Sequence, residues 1–326
     1  MATKKGLGFF AKLKNVFYNI RQKRLRAGWR ITIFSISFLL LVAIAGLILQ
    51  STMPAGPARG CISMLVVFLI ALGTLVLASR YVDHRKWKDL GYHFSKKWWQ
   101  DFLFGLALGG FLICLIFIFE KAMGWVTVVD FFRNQKTGYA GIPFWVPFVM
   151  GFIKFAIVGF YEETLSRGYQ IKNLSESFYS KKGSGRKAVI WAYILTSVIF
   201  GLLHAGNANV TVPALVNLVL AGLFLGLAYV LSGELAIPIG LHITWNFFQG
   251  LVFGFPVSGK LIDVSLVAFQ LNGPALCTGG AFGPEGGVIS TAAMLLGCAL
   301  VFLYLKIFRK RFSLFSKLAV YRPPKQ

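Results

Sequence analysis

Glu162 and Glu163 close a long apolar run, in the order Tyr161-Glu162-Glu163-Thr164-Leu165-Ser166-Arg167. His204 ends the stretch Phe200-Gly201-Leu202-Leu203-His204, and His242 opens His242-Ile243-Thr244-Trp245-Asn246. An ionisable group inside a membrane-spanning helix costs at least roughly 2.5–3.5 kcal/mol, so such groups are usually paired, water-facing or functional. On a helix, residues four apart share a face, while adjacent ones diverge by about 100°. Glu163 therefore meets Arg167, with the acid N-terminal to the cation, the better order. Glu162 has no such local partner, and a carboxylate without a cation beside it is free to act as a base. The same spacing pairs Phe200 with His204, and His242 with Asn246. Three helices would then converge Glu162, His204, His242 and Asn246 on one polar cavity.

Each residue also has a plainer reading. A lone histidine or asparagine in a span is ordinarily a hydrogen-bonder between helices, and a Glu–Arg pair is ordinarily structural. What favours chemistry is the coincidence of types: His84 and His93 fall in a basic loop, and few other ionisable groups lie within apolar runs. Lys154 also interrupts such a run, and nothing in the sequence assigns it a role.

The elements that must carry these residues are helices in a membrane. The chain has 326 residues, is 56% hydrophobic and only 14% charged, with mean hydropathy +0.68. A soluble domain needs about a quarter of its residues charged to cover its surface. The apolar residues gather into runs near the ~20 residues that cross the hydrocarbon core. The runs are Ile31–Gln50, Cys61–Ala78, Phe102–Phe119, Phe144–Phe160, Val189–Leu203, Val210–Leu231, Leu235–Phe255 and Val288–Phe308. The expected fold is an all-α polytopic bundle of about eight transmembrane spans. The first run is too long for a signal-peptide core of about 7–15 residues and reads as a retained span. No repeat of the kind left by inverted transporter halves is evident.

Thirty-four Lys and Arg against eleven Asp and Glu give a net charge of +23. No nucleic-acid-reading motif accompanies the excess, so nucleic acid is not an expected partner. The cations instead flank alternate spans: residues 1–30, the connection Arg80–Lys97, the connection Lys181–Lys187, and Arg309, Lys310 and Arg311. Connections 121–142 and 256–287 are poor in them. Under the positive-inside rule both termini are cytoplasmic, in a multi-pass protein of the cell membrane. Phe9, Leu13, Phe17 and Ile20 recur at helical spacing in the basic arm, so part of it is expected to lie on an anionic bilayer surface. Cys61, Cys114, Cys277 and Cys298 show neither disulfide nor zinc-knuckle spacing.

At the polar residues the chain resembles the CAAX prenyl protease 2 family and its bacterial relatives, often called CPBP or Abi proteins. That family shows Glu-Glu-x-x-x-Arg, then Phe-x-x-x-His, then His-x-x-x-Asn on successive helices. The three motifs stand here in order, as Glu162/Glu163/Arg167, Phe200/His204 and His242/Asn246. Gly233–His242 is similar to the approach to the third motif, and Gly279–Gly287 to a glycine-rich stretch before the last helix of bacterial members. The resemblance spans roughly residues 145–290. It divides the chain into a basic arm (1–30), N-terminal spans (31–143), a peptidase core (144–308) and a basic tail (309–326).

The resemblance implies a glutamate-type intramembrane endopeptidase acting on a membrane-associated peptide or protein, with CAAX-like or otherwise lipidated chains among its candidate substrates, without a cofactor. Glu162 and His204 would activate a water, His242 and Asn246 would bond the oxyanion, and Glu163 with Arg167 would orient the first motif, beside Phe200. Two rivals use the same residues. In one, Glu162, His204 and His242 hold a catalytic zinc with an open water position, although no His-Glu-x-x-His run is present. In the other, the cavity binds a peptide without cutting it, as in a bacteriocin-immunity protein. A geometric tension accompanies all three. His204 would lie about 24 Å from the cytoplasmic start of its helix, whereas Glu162 would end a run entering from outside. Long helices continuing into the cytosol, around a cavity in the cytoplasmic half, would reconcile them.

Overall fold

The computed structural model describes residues 14–20, 22–54, 56–134, 141–179, 183–311 and 313–323. The main helices are α1 (Ala27–Thr52), α2 (Pro57–Leu77), α3 (Lys96–Ala122) and α4 (Trp145–Glu163), then α5 (Gly185–Leu202), α6 (Val212–Ser232), α7 (Ala236–Asn246) and α8 (Val288–Arg309). Seven helical segments among the described residues are long and apolar enough to cross a membrane, which makes the protein an all-α polytopic bundle. The eighth apolar run behaves differently. Leu235–Phe255 forms the 11-residue α7 and then a six-residue π turn, Phe247–Val252, too short for the same criterion.

Local signals set several helix ends. The Ser95 hydroxyl accepts from the Trp98 amide at 3.2 Å and starts α3. Thr211 does the same for Ala214 at 3.2 Å, and Gly233, at φ 77°, ends α6 in the left-handed conformation that suits glycine.

α7 is the axis of the fold: all eleven of its residues are buried. Its neighbours approach so closely because they present glycine. A Cβ on Gly105 or Gly109 of α3 would stand 2.4 Å from the carbonyl of Ile237 or Leu241, and one on Gly240 would stand 2.4 Å from the Phe102 carbonyl. Small residues four apart bring backbones together where no hydrophobic effect drives helices to associate. A methyl at Gly109 must push α7 away, so Gly109→Ala should cost about 1–3 kcal/mol of stability. Thermal melting of the purified protein checks this, and an unchanged midpoint would contradict the close contact.

Two differences from the sequence expectation bear on the site. The run expected to end at Phe160 continues as one 34-residue helical segment, Trp145–Phe178. It is α4, a π stretch Thr164–Ile171 and a last helical piece Lys172–Phe178. Glu162 is therefore near its middle rather than its end, which removes the obstacle to meeting His204. The connections 121–142 and 256–287 also contribute strands. β1 (Val126–Asn134) pairs antiparallel with β2 (Val264–Leu271), from Val126 opposite Leu271 to Asn134 opposite Val264, with an irregularity between Val128 and Asp130. The pair holds these two connections together at one end of the bundle.

More acids lie in helices than the apolar runs suggested: Asp101 and Glu120 in α3, and Glu176 in the 34-residue segment, all buried. The arm itself is tied into the fold. Arg24 and Arg30 are buried in ion pairs instead of facing solvent, while Phe17 and Ile20 are exposed. Phe9 and Leu13 lie outside the described residues, as do Lys4, Lys5, Lys12, Lys181 and Lys182.

Candidate active site

A cavity of about 820 Å³ is lined by Glu162, Phe200, His204, His242 and Asn246 together. The sequence expectation of convergence therefore agrees with the geometry for the two histidines, one glutamate and the asparagine. α1 contributes apolar wall from Ile31 to Leu39, and Val158, Leu195, Ile199, Phe224 and Trp245 supply more. Much of the wall around the polar groups is thus hydrocarbon, which strengthens electrostatic interactions between them.

The two adjacent glutamates have separate environments. Glu163 is fully buried, and its Oε1 accepts from Arg167 Nη1 at 3.1 Å, the expected i, i+4 pair. The same oxygen also accepts from His242 Nδ1 at 2.8 Å, a contact that sequence spacing could not reveal. Glu163 Oε2 has no partner among the described residues. Glu162 is half-buried, faces the cavity, and has the Tyr161 hydroxyl at 3.4 Å.

Arg167 links the first motif to the second. Its Nη2 donates to the Gly222 carbonyl at 3.3 Å, and its guanidinium lies 4.4 Å from the centre of the Phe200 ring. Cation–π contacts of this kind contribute about 2 kcal/mol when desolvated. The Phe200 ring in turn packs 4.9 Å from the His204 ring, between centroids. The helical spacing of Phe200 and His204 thus becomes a stack from Glu163 through Arg167 and Phe200 to His204.

The hydrogen bonds fix the histidine nitrogens. His204 Nδ1 is 2.8 Å from the Phe200 carbonyl, which can only accept, so Nδ1 carries the proton and Nε2 is left over. His242 Nδ1 likewise donates to the Glu163 carboxylate, leaving its Nε2. Asn246 lies one turn further along and is buried in the same wall.

The chamber has a floor that the motifs do not supply. Ser258, Lys260 and Glu285 line it from the 256–287 connection, and Asn207 from the loop after α5. Ser258 donates to Glu285 Oε2 through its amide at 2.7 Å and its hydroxyl at 2.9 Å. Burial pushes the Glu285 carboxyl up, against these bonds, and His204 and His242 are near enough to oppose the shift. The glycines of this stretch permit the arrangement. Gly259, at φ 83°, would bring a Cβ within 1.8 Å of the Ala208 carbonyl, and Gly283, at φ 101°, within 2.1 Å of that of Pro256. Only glycine serves at such positions. Glu285 was legible as part of a glycine-rich stretch, but its partners were not.

Lys154 also lines the chamber, and it has an interaction of its own. Among the described residues no three His, Cys, Asp or Glu side chains are grouped closely enough to hold a metal ion.

No curated protein and no solved structure matches the chain. One family comparison does. Residues 144–248, about a third of the chain, match the family described as type II CAAX prenyl endopeptidase Rce1-like. The match runs from the start of the α4 segment to just past Asn246, so it takes in all three motifs. Within a polytopic membrane protein, residues 144–248 thus match the Rce1-like domain of the CAAX protease family.

Proposed function

We propose that the protein is an intramembrane endopeptidase that hydrolyses a peptide bond of a membrane-associated peptide or protein with water activated by Glu162 and His204. The Rce1-like domain supports a CAAX-type membrane protease. The observation that carries the finer reading is the chamber itself: a base-capable carboxylate, two histidines and an asparagine line one cavity whose wall is largely hydrocarbon. Glu162 takes a proton from the water, whose other hydrogen is held by His204 Nε2. The hydroxide attacks the peptide carbonyl, and His242 and Asn246 bond the oxygen as it gains charge. Glu162 then returns the proton to the departing amine, so that atoms and charge balance. Glu163 and Arg167 orient His242 and Phe200 and do not touch the substrate.

Purified protein in liposomes should cleave a membrane-anchored, internally quenched reporter peptide, with equal rates in the presence and absence of a metal chelator. Inhibition by chelator that zinc reverses, with one zinc per chain lost in His204→Ala, would replace this reading by a metallopeptidase. Binding of the reporter without cleavage, unchanged by Glu162→Gln, would make the protein a binding module.

We read the chain as a cell-membrane protein with both termini cytoplasmic, on the cation asymmetry of alternate connections, with α7 and its π turn as the eighth crossing beside the seven longer helices. In a background lacking the native cysteines, Cys at Lys88 should resist a membrane-impermeant thiol reagent in intact cells. Cys at Val129 or Leu261, both exposed beside the strand pair, should react. Labelling of position 88 from outside would reverse the orientation.

A further inference from the structure

At the end of α2 remote from the strand pair, the chain buries an unusual excess of positive charge. Arg24, Arg30, Arg85 and Lys172 are each at most 7% exposed, and among the described residues two comparably buried carboxylates, Asp83 and Glu176, accompany them. Both acids are already engaged. Glu176 accepts from Arg24, from Arg85 at 2.9 Å and 3.2 Å, and pairs with Lys172 at 3.3 Å. Asp83 pairs with Arg30 and stands 3.6 Å from Arg85. Four cations against two anions leave two positive charges without a match, in a place where unmatched charge is costly.

Next to this cluster lies a second cleft, of about 460 Å³, lined by Ser79, Arg80, His84, Arg85, Lys86 and Trp87. Two of its lining residues have buried donors that go unused: Ser79 Oγ and Arg85 Nε have no hydrogen-bond partner among the described residues. Ser79 is 3% exposed and Arg85 5%, so a partner must enter from the cleft to meet these donors. Arg80 and Lys86 stand exposed at the rim. Every charged group that lines the cleft is therefore cationic or, for histidine, able to become so. A ligand that accepts from a hydroxyl and a guanidinium and carries one or two negative charges answers all of these features. A phosphate group is that ligand.

The surroundings indicate which phosphate. Val76, also lining the cleft, belongs to the membrane-spanning segment Ala58–Val82, and Leu77 beside it is 57% exposed. Trp87 is an indole at the boundary, the usual residue there. The cleft thus sits where a lipid headgroup meets its acyl chains. We propose that it binds the phosphate of an anionic phospholipid, with the acyl chains lying along the apolar face of α2. Basic pockets at this level of a membrane protein suit such headgroups.

The test is native mass spectrometry of the purified full chain in neutral detergent, titrated with phosphatidylglycerol, phosphatidylcholine or inorganic phosphate. One phosphatidylglycerol per chain is expected, held at least about tenfold more tightly than phosphatidylcholine. The double variant Arg80→Gln/Lys86→Gln, at exposed positions outside the ion-pair cluster, should weaken retention by about tenfold or more with unchanged melting in lipid-free detergent. Ser79→Ala should weaken it through the lost hydroxyl. Equal retention of phosphatidylcholine, or no change in either variant, would overturn the proposal. Inorganic phosphate that binds as tightly as phosphatidylglycerol and displaces it would overturn the lipid as occupant.

Discussion

Glu162→Gln is expected to leave a folded protein whose cleavage rate has fallen by about 10²–10⁴-fold, the contribution of a positioned general base. Glutamine keeps the shape of glutamate and removes only its ability to take a proton. Glu162 is half-buried and, among the described residues, is bonded by the Tyr161 hydroxyl rather than by a cation, so little of the fold rests on its charge. Glu163→Gln should behave otherwise. Its carboxylate neutralises Arg167, which is 2% exposed, and orients His242. Breaking a buried pair by removing one partner costs about 3–5 kcal/mol. The variant should melt well below the wild type, and whatever survives should also cleave poorly because His242 has lost its orienting partner. Melting curves alongside reporter cleavage separate the two. If both variants melted like the wild type and lost the same activity, the division of labour between these neighbours would be wrong.

Asn246→Ala is expected to lower kcat by about 10²–10³-fold with KM little changed. A donor to the oxyanion strengthens only as charge develops, so its loss appears in the transition state rather than in substrate binding. The structure adds a condition for its companion. His242 Nδ1 already donates to Glu163, so a neutral ring offers only an acceptor at Nε2. His242 can donate to the oxyanion from Nε2 only as the imidazolium, for which Glu163 is the counter-charge. Cleavage should therefore fall as pH rises far enough to remove that second proton, and His242→Gln, which donates without titrating, should flatten this limb of the profile. A larger KM in Asn246→Ala with kcat preserved would make the asparagine a substrate anchor instead.

How much of this was legible before the structure depends on what each feature rests on. The membrane spans follow from apolar runs, which are local, so the bundle was readable. The motif pairs Glu163–Arg167 and Phe200–His204 follow from helical periodicity and were readable for the same reason. The contact of His242 with Glu163 joins positions 79 residues apart and depends on how α4 meets α7, which no spacing encodes. The strands Val126–Asn134 and Val264–Leu271 are distant in sequence, so nothing local announces the pairing. The extension to Phe178 was hidden by composition. Lys172, Asn173 and Glu176 look like a loop, yet all are buried, Lys172 against the tail, Asn173 against Arg85 and Glu176 against the arm.

The π stretch Thr164–Ile171 follows directly on the two glutamates. A π turn closes through i→i+5 bonds, so it holds more residues per turn than the 3.6 of an α-helix. Along those eight residues the helix winds more slowly, and everything beyond is rotated relative to everything before. One rod can therefore set Glu162 in the wall of the large cavity and, further along, set Glu176 against the arginines of the arm. The π stretch works as a vernier between two protractors. α winding over the same eight residues would turn the far half of the rod well away from its present bearing. The glutamates would keep their bearing while Glu176 swung away from the arginines it neutralises.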